Sequence, residues 1–360
     1  MENDTDSTRP FLYGGICLFM NDRTRNQNVD LLRGIAAVLM VLGHSFIVYP
    51  VNISEVHWCA AIRHFIYTFH MELFFILSGF VYCCTNYKDF LRRKVERIAI
   101  PYFVFGIGAM VLRAFGGTTI NGIEPINEGM KKLFFAGGYW FLYVSFLIFV
   151  FYPVIDTVLD KSGWIEAAAI ILLLIVDQYV TVTDLFALDY IIQYLPYFIL
   201  GRLIAKQTRA GYKRLNISVA LSVSATVAMF LFVGLELYEK HMGEKLNTIL
   251  HYIRAIVICF VIYYVVLLTT EKLKANRVFM QVGKILTECS KYSLQIYLFN
   301  GYLLTAIRIL ICSILQIRNP FLIVFSILVG DLGISLIICK CLLRLPLAAK
   351  VCGIKAGDTK

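Results

Sequence analysis

The chain has 360 residues, of which 59% are hydrophobic, and its mean hydropathy is +0.72. Soluble globular domains are less apolar than this, so the composition excludes a soluble enzyme and predicts an all-α integral membrane protein. The net charge of +10 does not indicate a nucleic-acid partner, because the basic residues lie beside apolar stretches, a pattern typical of membrane proteins.

Residues 1–27 are mainly polar and contain one short apolar run, FLYGGICLFM. This run is too short to cross a bilayer and has no cleavage-site pattern. It therefore predicts a cytoplasmic N-terminal segment and no signal peptide.

A membrane-spanning helix requires about 20 mainly apolar residues, and ten stretches approach this requirement. They lie near residues 31–51, 62–84, 98–115, 138–157, 163–180, 188–205, 215–236, 248–270, 290–313 and 320–343. Together they predict one membrane domain over residues 28–343, followed by a basic tail over 344–360.

The predicted connecting segments alternate in their content of Lys and Arg. Residues 85–97, 202–214, 271–291 and the tail are rich in both, whereas the intervening loops carry few. Because basic loops remain in the cytoplasm, this pattern predicts that both termini are cytoplasmic. An even number of spans agrees with that orientation.

The first predicted span contains two ionisable residues, Arg33 and His44. They are eleven residues apart, which on a helix places them on nearly the same face and about 16 Å apart along the axis. Ionisable residues within a span are costly and mark functional sites by default. The alternative is a neutral His bonded to a neighbouring helix and an Arg that extends to the interface.

The second predicted span carries Glu72 at about the depth of His44. A carboxylate beside an imidazole fixes its tautomer and lets it act as a general base, so we predict a catalytic pair. Alternatively, the two groups satisfy each other structurally. The small residues Ser78 and Gly79 on the same span predict close helix packing.

A basic run, FLRRKVERIAIPYF, leads into the third predicted span. Arg93, Lys94 and Arg97 of this run could clamp phosphate groups on the same side of the membrane as Arg33. The alternative is an ordinary cytoplasmic anchor of the span.

Three arginines, Arg113, Arg254 and Arg308, lie within predicted spans near their outer ends. Each could extend to the interface, or together they could attract an anionic extracytoplasmic substrate. Asp177 and Asp331 are intramembrane acids that could pair with them.

Trp140 follows Tyr139 at the predicted outer start of the fourth span. It could stack on a sugar, or belong to the aromatic belt at the membrane interface.

Five motifs along the chain resemble those of one family. They are LLRGIAAVLMVLGH, MELFFILSGF, RRKVERIAIPY, WFLY and YSLQIYLFN. In this order they resemble the membrane acyltransferase family 3, the ten-span bacterial sugar O-acyltransferases that include O-antigen, capsule and fucose O-acetylases. The resemblance extends from about residue 28 to residue 343.

The resemblance implies transfer of an acyl group, usually from acetyl-CoA in the cytoplasm, to a hydroxyl of a cell-surface or lipid-linked carbohydrate. It implies a multi-pass protein of the bacterial cytoplasmic membrane, with acyl-CoA as a substrate and with no permanently bound cofactor and no metal. His44 would be the catalytic base and Arg33 a residue of the donor site.

Three positions depart from the family pattern. Lys94 replaces the first of two arginines, the second being Arg97, and Glu72 replaces an aspartate. Many members have a His where this chain has Asn300, so the resemblance assigns Asn300 no role.

The predicted mechanism is direct transfer in a ternary complex, because no activated Ser or Cys nucleophile stands beside His44 in the sequence. Two other classes fit ten spans with intramembrane charges. One is a transporter of a lipid-linked sugar or small solute, although a pair of interrupted spans is not evident. The other is a non-catalytic subunit of a polysaccharide export assembly.

Overall fold

The structure is a computed structural model. It describes residues 26–46, 51–115, 126–134, 137–159, 162–179, 187–209, 244–272, 276–342 and 344–354. All regular elements in these ranges are helical, which confirms the predicted all-α class.

The helices are numbered in chain order, and two of them continue into π-helical turns. The first part of the chain contains α1 (Gln27–Ser45), α2 (His57–Tyr67), α3 (His70–Phe80), α4 (Tyr87–Lys94), a π turn (Val95–Ala99), α5 (Ile100–Phe115) and α6 (Ile126–Phe134). The middle contains α7 (Trp140–Leu159), α8 (Gly163–Tyr179), α9 (Leu188–Arg209) and α10 (Glu244–Lys272). The last part contains α11 (Arg277–Lys291), α12 (Ser293–Arg308), a second π turn (Ile309–Ile314), α13 (Pro320–Leu342) and α14 (Pro346–Val351).

Within the described ranges, five helical stretches are long and apolar enough to cross a membrane. They are Tyr87–Ala114, Trp140–Leu159, Asn247–Thr270, Ser293–Ile314 and Pro320–Leu342. They coincide with the third, fourth, eighth, ninth and tenth predicted spans. The first, second, fifth and sixth predicted spans are also helical but shorter, interrupted or more polar, and the seventh lies outside the described residues.

The second predicted span is two helices rather than one. Helix α2 ends at Tyr67 and α3 begins at His70, and Thr68 Oγ1 donates a hydrogen bond of 2.9 Å to the carbonyl of His64 at the break. The rings of Tyr67 and His70, one on each side of the break, are 5.2 Å apart between centroids. The break therefore places the last residue of α2, Tyr67, next to the first residue of α3, His70.

Helix α1 lies at the centre of the bundle. It begins at an N-cap in which the Asn26 side chain accepts from the backbone N–H groups of Asn28 and Val29. It packs against α2, α3, α10, α11, α12 and α13. At Gly34 its backbone lies so close to α11 that a Cβ would overlap the carbonyl of Leu286. Small residues allow such close approach between membrane helices.

Helices α3 and α9 cross with their backbones in contact. A Cβ at Gly79 would overlap the carbonyl of Phe198, and a Cβ at Gly201 would overlap the carbonyl of Ile76. The predicted packing role of the Ser78–Gly79 pair is thus confirmed for Gly79. This crossing holds α3, and with it the residues near its N-terminus, against α9.

Candidate active site

The first feature of the site is a basic cavity of about 490 Å³. Its wall includes all four residues that were predicted to bind an acyl donor, namely Arg33 from α1, Arg93 and Lys94 from α4, and Arg97 from the π turn. Four cationic side chains around one cavity would attract a ligand with several negative charges.

The basic cavity also has an aromatic wall beside Lys94. The ammonium group of Lys94 lies 3.4 Å from the ring centroid of Phe149 and 5.2 Å from that of Phe90. Such contacts stabilise a cation that is partly removed from water. The Lys that departs from the family pattern is therefore held in place by two aromatic rings.

The second feature is a histidine cavity of about 630 Å³. It contains His44 from the end of α1 and His70 from the start of α3. It also contains two of the residues predicted to bind an acceptor, Arg113 and Trp140. Other lining residues are Tyr67, Tyr139, Tyr194, Asn300, Tyr302 and Thr305.

The two cavities meet at Met71 and Tyr297, which line both of them. Helices α1, α3, α7 and α12 each contribute residues to both walls. On α1, for example, Arg33 and Met40 line the basic cavity and His44 lines the histidine cavity. The two cavities therefore lie side by side along these helices, one lined by the cationic cluster and the other by the imidazole.

The tautomer of His44 follows from a chain of hydrogen bonds. Asn300 donates from Nδ2 to Asp331 Oδ2 at 2.8 Å, and the opposite end of its amide, Oδ1, lies 2.5 Å from His44 Nδ1. Because an amide oxygen only accepts, His44 Nδ1 carries the proton and Nε2 keeps a lone pair. Ser335 Oγ donates to the other oxygen of Asp331 at 3.2 Å.

Glu72 does not contact His44, contrary to the prediction that it orients the imidazole. Its Oε1 lies 3.4 Å from His251 Nε2 on α10, and its side chain is buried. The physical reason is helical geometry. His70 and Met71 face the histidine cavity, and a residue further along the helix, at about 100° per residue, points elsewhere.

His70 is a second buried imidazole in the histidine cavity. Its Nδ1 lies 2.8 Å from the backbone carbonyl of Ile66. A carbonyl only accepts, so Nδ1 carries the proton and Nε2 of the neutral ring keeps a lone pair. Two histidines in the cavity can thus accept hydrogen bonds through Nε2.

Trp140 forms part of an aromatic group at the histidine cavity. Its ring stacks on that of Tyr190, with centroids 5.1 Å apart and an interplanar angle of 23°, and it also lies 5.1 Å from Tyr194. Arg113 lines the same cavity. A cavity that offers an aromatic face and a cation suits a sugar that carries polar or anionic groups.

Arg254 and Arg308 lie elsewhere. Both are buried, and neither is among the described residues that line the histidine cavity. The predicted intramembrane acids have other partners: Asp331 bonds to Asn300, and Asp177 accepts a hydrogen bond of 3.0 Å from the hydroxyl of Tyr252.

The C-terminal segment closes one side of the basic cavity. Gly353 and Ile354 line the cavity, and the side chain of Gln295 donates a hydrogen bond of 2.8 Å to the carbonyl of Cys352. Gly353 has a φ of +71° and lies against the carbonyl of Arg97, so that a side chain there would clash. The sequence predicted only a basic tail for this region.

Sequence reasoning missed Asn300, Asp331 and His70 as parts of the site. Asp331 and His70 carried a usable signal, because each is an ionisable residue within a predicted span. Nothing in the sequence indicated that the partner of Asp331 is Asn300, or that Asn300 reaches His44 from 256 positions away.

The fold and the cavities are those of a helical membrane protein in which one cavity is lined by four basic side chains and the other by an imidazole. A family model described as an acyltransferase domain, acyltransferase family 3, matches residues 26–340. The chain therefore belongs to this acyltransferase family, as its motifs predicted.

Two curated relatives share part of the chain. The nodulation protein NolL of Mesorhizobium japonicum is 25% identical over 223 residues, covering 59% of this chain and 58% of the relative. NolL of Sinorhizobium fredii is 26% identical over 191 residues, covering 51% and 49%. The chain thus matches about half of the length of these relatives. No solved structure matches it.

Proposed function

We propose that this protein transfers a short acyl group, acetyl in the first instance, from acyl-CoA to a hydroxyl of a cell-surface or lipid-linked carbohydrate. The observation that carries the proposal is the meeting of the basic cavity and the histidine cavity at Met71 and Tyr297. A donor with anionic phosphates at one end and a reactive thioester at the other matches this arrangement.

The donor phosphates bind in the basic cavity. Arg33, Arg93 and Arg97 offer planar forks for bidentate contacts with phosphate oxygens, and Lys94 offers a point charge. The positive-inside pattern orients this cavity toward the cytoplasm, where acyl-CoA is present. The protein then has both termini in the cytoplasm and resides in the bacterial cytoplasmic membrane.

The extended arm of the donor follows α1 from the basic cavity to His44. Along the helix axis, Arg33 and His44 are about 16 Å apart. The thioester lies at the junction of the cavities, and the carbohydrate hydroxyl approaches through the histidine cavity. Arg113 and Trp140 bind the acceptor there.

His44 Nε2 accepts the hydroxyl proton while the oxygen attacks the thioester carbonyl carbon. As the carbon–sulfur bond breaks, the proton passes to the sulfur, and the products are the ester and free CoA. Asn300 and Asp331 hold His44 in the required tautomer. Glu72 takes no part in this step, because its carboxylate bonds to His251.

Direct transfer is favoured over an acyl-enzyme. No Ser or Cys side chain is among the described residues that line the histidine cavity. An acyl-enzyme is most readily formed on a Ser or Cys that is activated by an adjacent base. The reaction requires no permanently bound cofactor and no metal.

The test compares membranes that contain equal amounts of wild type and His44→Ala. Both are incubated with radiolabelled acetyl-CoA and the glycan lipids of the host, and label in the glycan is followed. Loss of a general base lowers the rate by about 10²–10⁴. Near-normal transfer by stably inserted His44→Ala would contradict the mechanism, and uptake of unmodified solute into proteoliposomes would instead identify a transporter.

A further inference from the structure

The junction between the two cavities is apolar and mainly aromatic. Met71 is 7% exposed and Tyr297 is 9% exposed, although both line two cavities. Met40, Phe74 and Phe141 line the adjoining end of the basic cavity. The cationic residues lie at its other end, so the cavity changes from charged to apolar along its length.

Resting on the proposed function, we infer that the neck between Met71 and Tyr297 selects the length of the transferred acyl group. It admits an acetyl group and excludes acyl chains of four carbons or more. The inference rests on two observations: Met71 and Tyr297 line both cavities, and both side chains are buried.

One wall of the neck is rigid. The ring of Tyr297 makes edge contacts with Phe141 and Tyr139, with centroids 5.5 Å and 5.9 Å apart. Phe141 in turn packs edge-on against Phe75 at 5.2 Å. Aromatic side chains packed in this way resist displacement, because close packing leaves no space into which they could move.

The other side chain that lines both cavities is Met71, on the first turn of α3. The backbone there is held by the crossing of α3 and α9 at Gly79 and Gly201. Methionine is flexible, so Met71 is the side chain whose removal would widen the neck with the least effect on its surroundings.

Acyl length can be selected here because the other end of the donor is fixed. With the phosphates held by the four cations, the thioester carbonyl reaches a set position beside His44. A longer acyl chain must then displace Met71 or Tyr297, or occupy the space of the acceptor. Hydrophobic pockets discriminate by about 10- to 200-fold for each methylene group.

The experiment measures binding, so that it does not depend on the identity of the acceptor. Purified full-length protein in lipid nanodiscs is titrated calorimetrically with CoA, acetyl-CoA, butyryl-CoA and hexanoyl-CoA. We expect wild type to bind butyryl-CoA at least about 10-fold more weakly than acetyl-CoA. Met71→Ala should bring the two affinities within about threefold, by removing the obstructing side chain.

Two further variants serve as controls. Met71→Leu retains most of the volume and should keep the wild-type preference. Met130→Ala makes the same chemical change at an exposed position on α6, outside both cavities, and should also keep it.

Equal affinity of wild type for acetyl-CoA and butyryl-CoA would overturn the inference. So would a Met71→Ala variant that binds acetyl-CoA normally and retains the wild-type preference. Failure of wild type to bind CoA or any acyl-CoA would instead contradict the proposed donor. That result is distinguishable from one in which the donors bind but acyl length makes no difference to their affinity.

Discussion

At the scale of single residues, the reactivity of His44 depends on two side chains from other helices. Asp331 orients the amide of Asn300, and the amide oxygen holds the proton on His44 Nδ1. A neutral histidine at position 300 could do the same, because it can donate to Asp331 through one nitrogen and accept from His44 through the other. This explains chemically how Asn can stand where many family members have His.

We therefore expect Asn300→Leu to lower kcat by about 10- to 100-fold, since a buried unsatisfied hydrogen-bonding group costs about 1–3 kcal/mol. The KM for acetyl-CoA should change little, because Asn300 does not line the basic cavity. Steady-state kinetics in membranes would measure both.

Asn300→His is the matched control and should retain much more activity than Asn300→Leu. If the two variants were equally impaired while equally inserted, the hydrogen-bond chain from Asp331 would have no role in setting the tautomer of His44.

Arg33 is expected to act on donor binding. Arg33→Ala should raise the KM for acetyl-CoA with a smaller effect on kcat, because it removes a cation from the wall of the basic cavity. Arg33→Lys keeps the charge but loses the bidentate fork, so its KM should be intermediate. A change only in the affinity for the carbohydrate acceptor would contradict the assignment.

At the scale of helices, the crossing of α3 and α9 is highly sensitive to side-chain size. Gly201→Ala places a methyl group on the carbonyl of Ile76 and should destabilise the protein by about 1–3 kcal/mol. Thermal unfolding in detergent would detect this as a lower midpoint. Gly333→Ala on α13 is the control, because a Cβ there meets open space.

The helix-crossing prediction would be wrong if Gly201→Ala and Gly333→Ala unfolded at the same temperature. Because α3 also carries His70 and Met71, we expect Gly201→Ala to lose activity in proportion to the displacement of that helix.

The C-terminal segment provides another prediction at this scale. Gln295→Leu removes the hydrogen bond to the carbonyl of Cys352 and should raise the KM for acetyl-CoA, because Gly353 and Ile354 form part of the cavity wall. Leu347→Ala, at an exposed position of α14, should have no effect. An unchanged KM for Gln295→Leu would show that the segment does not contribute to donor binding.

The second predicted span shows where sequence reasoning about elements reached its limit. Its apolar residues correctly predicted a helix around Gly79, but the break at Thr68 and Phe69 has no Gly or Pro to mark it. The prediction that Glu72 meets His44 used depth alone. Depth does not determine the direction of a side chain around the helix axis, and the structure turns Glu72 toward His251.

At the scale of the whole molecule, what could be predicted depended on local pattern. Hydropathy indicated the helical membrane class and the five helices long enough to span, and the clustered Arg and Lys residues indicated a site that the structure presents as one cavity. The meeting of that cavity with the histidine cavity could not be predicted, because it depends on where α3 and α12 lie in the bundle. Met71 and Tyr297 belong to two of the family motifs, but neither is charged and the motifs assigned them no role.

The path that we propose for the donor, from the basic cavity to His44, is tested most directly by a structure with a bound donor. We would determine the structure of the whole chain by electron cryo-microscopy with a bound thioether analogue of acetyl-CoA, which cannot be cleaved. The expected density has phosphates against Arg33 and Arg97, and the acetyl carbonyl between Met71 and Tyr297 beside His44. Phosphates bound outside the basic cavity, or an acetyl end that points away from His44, would contradict the proposed path.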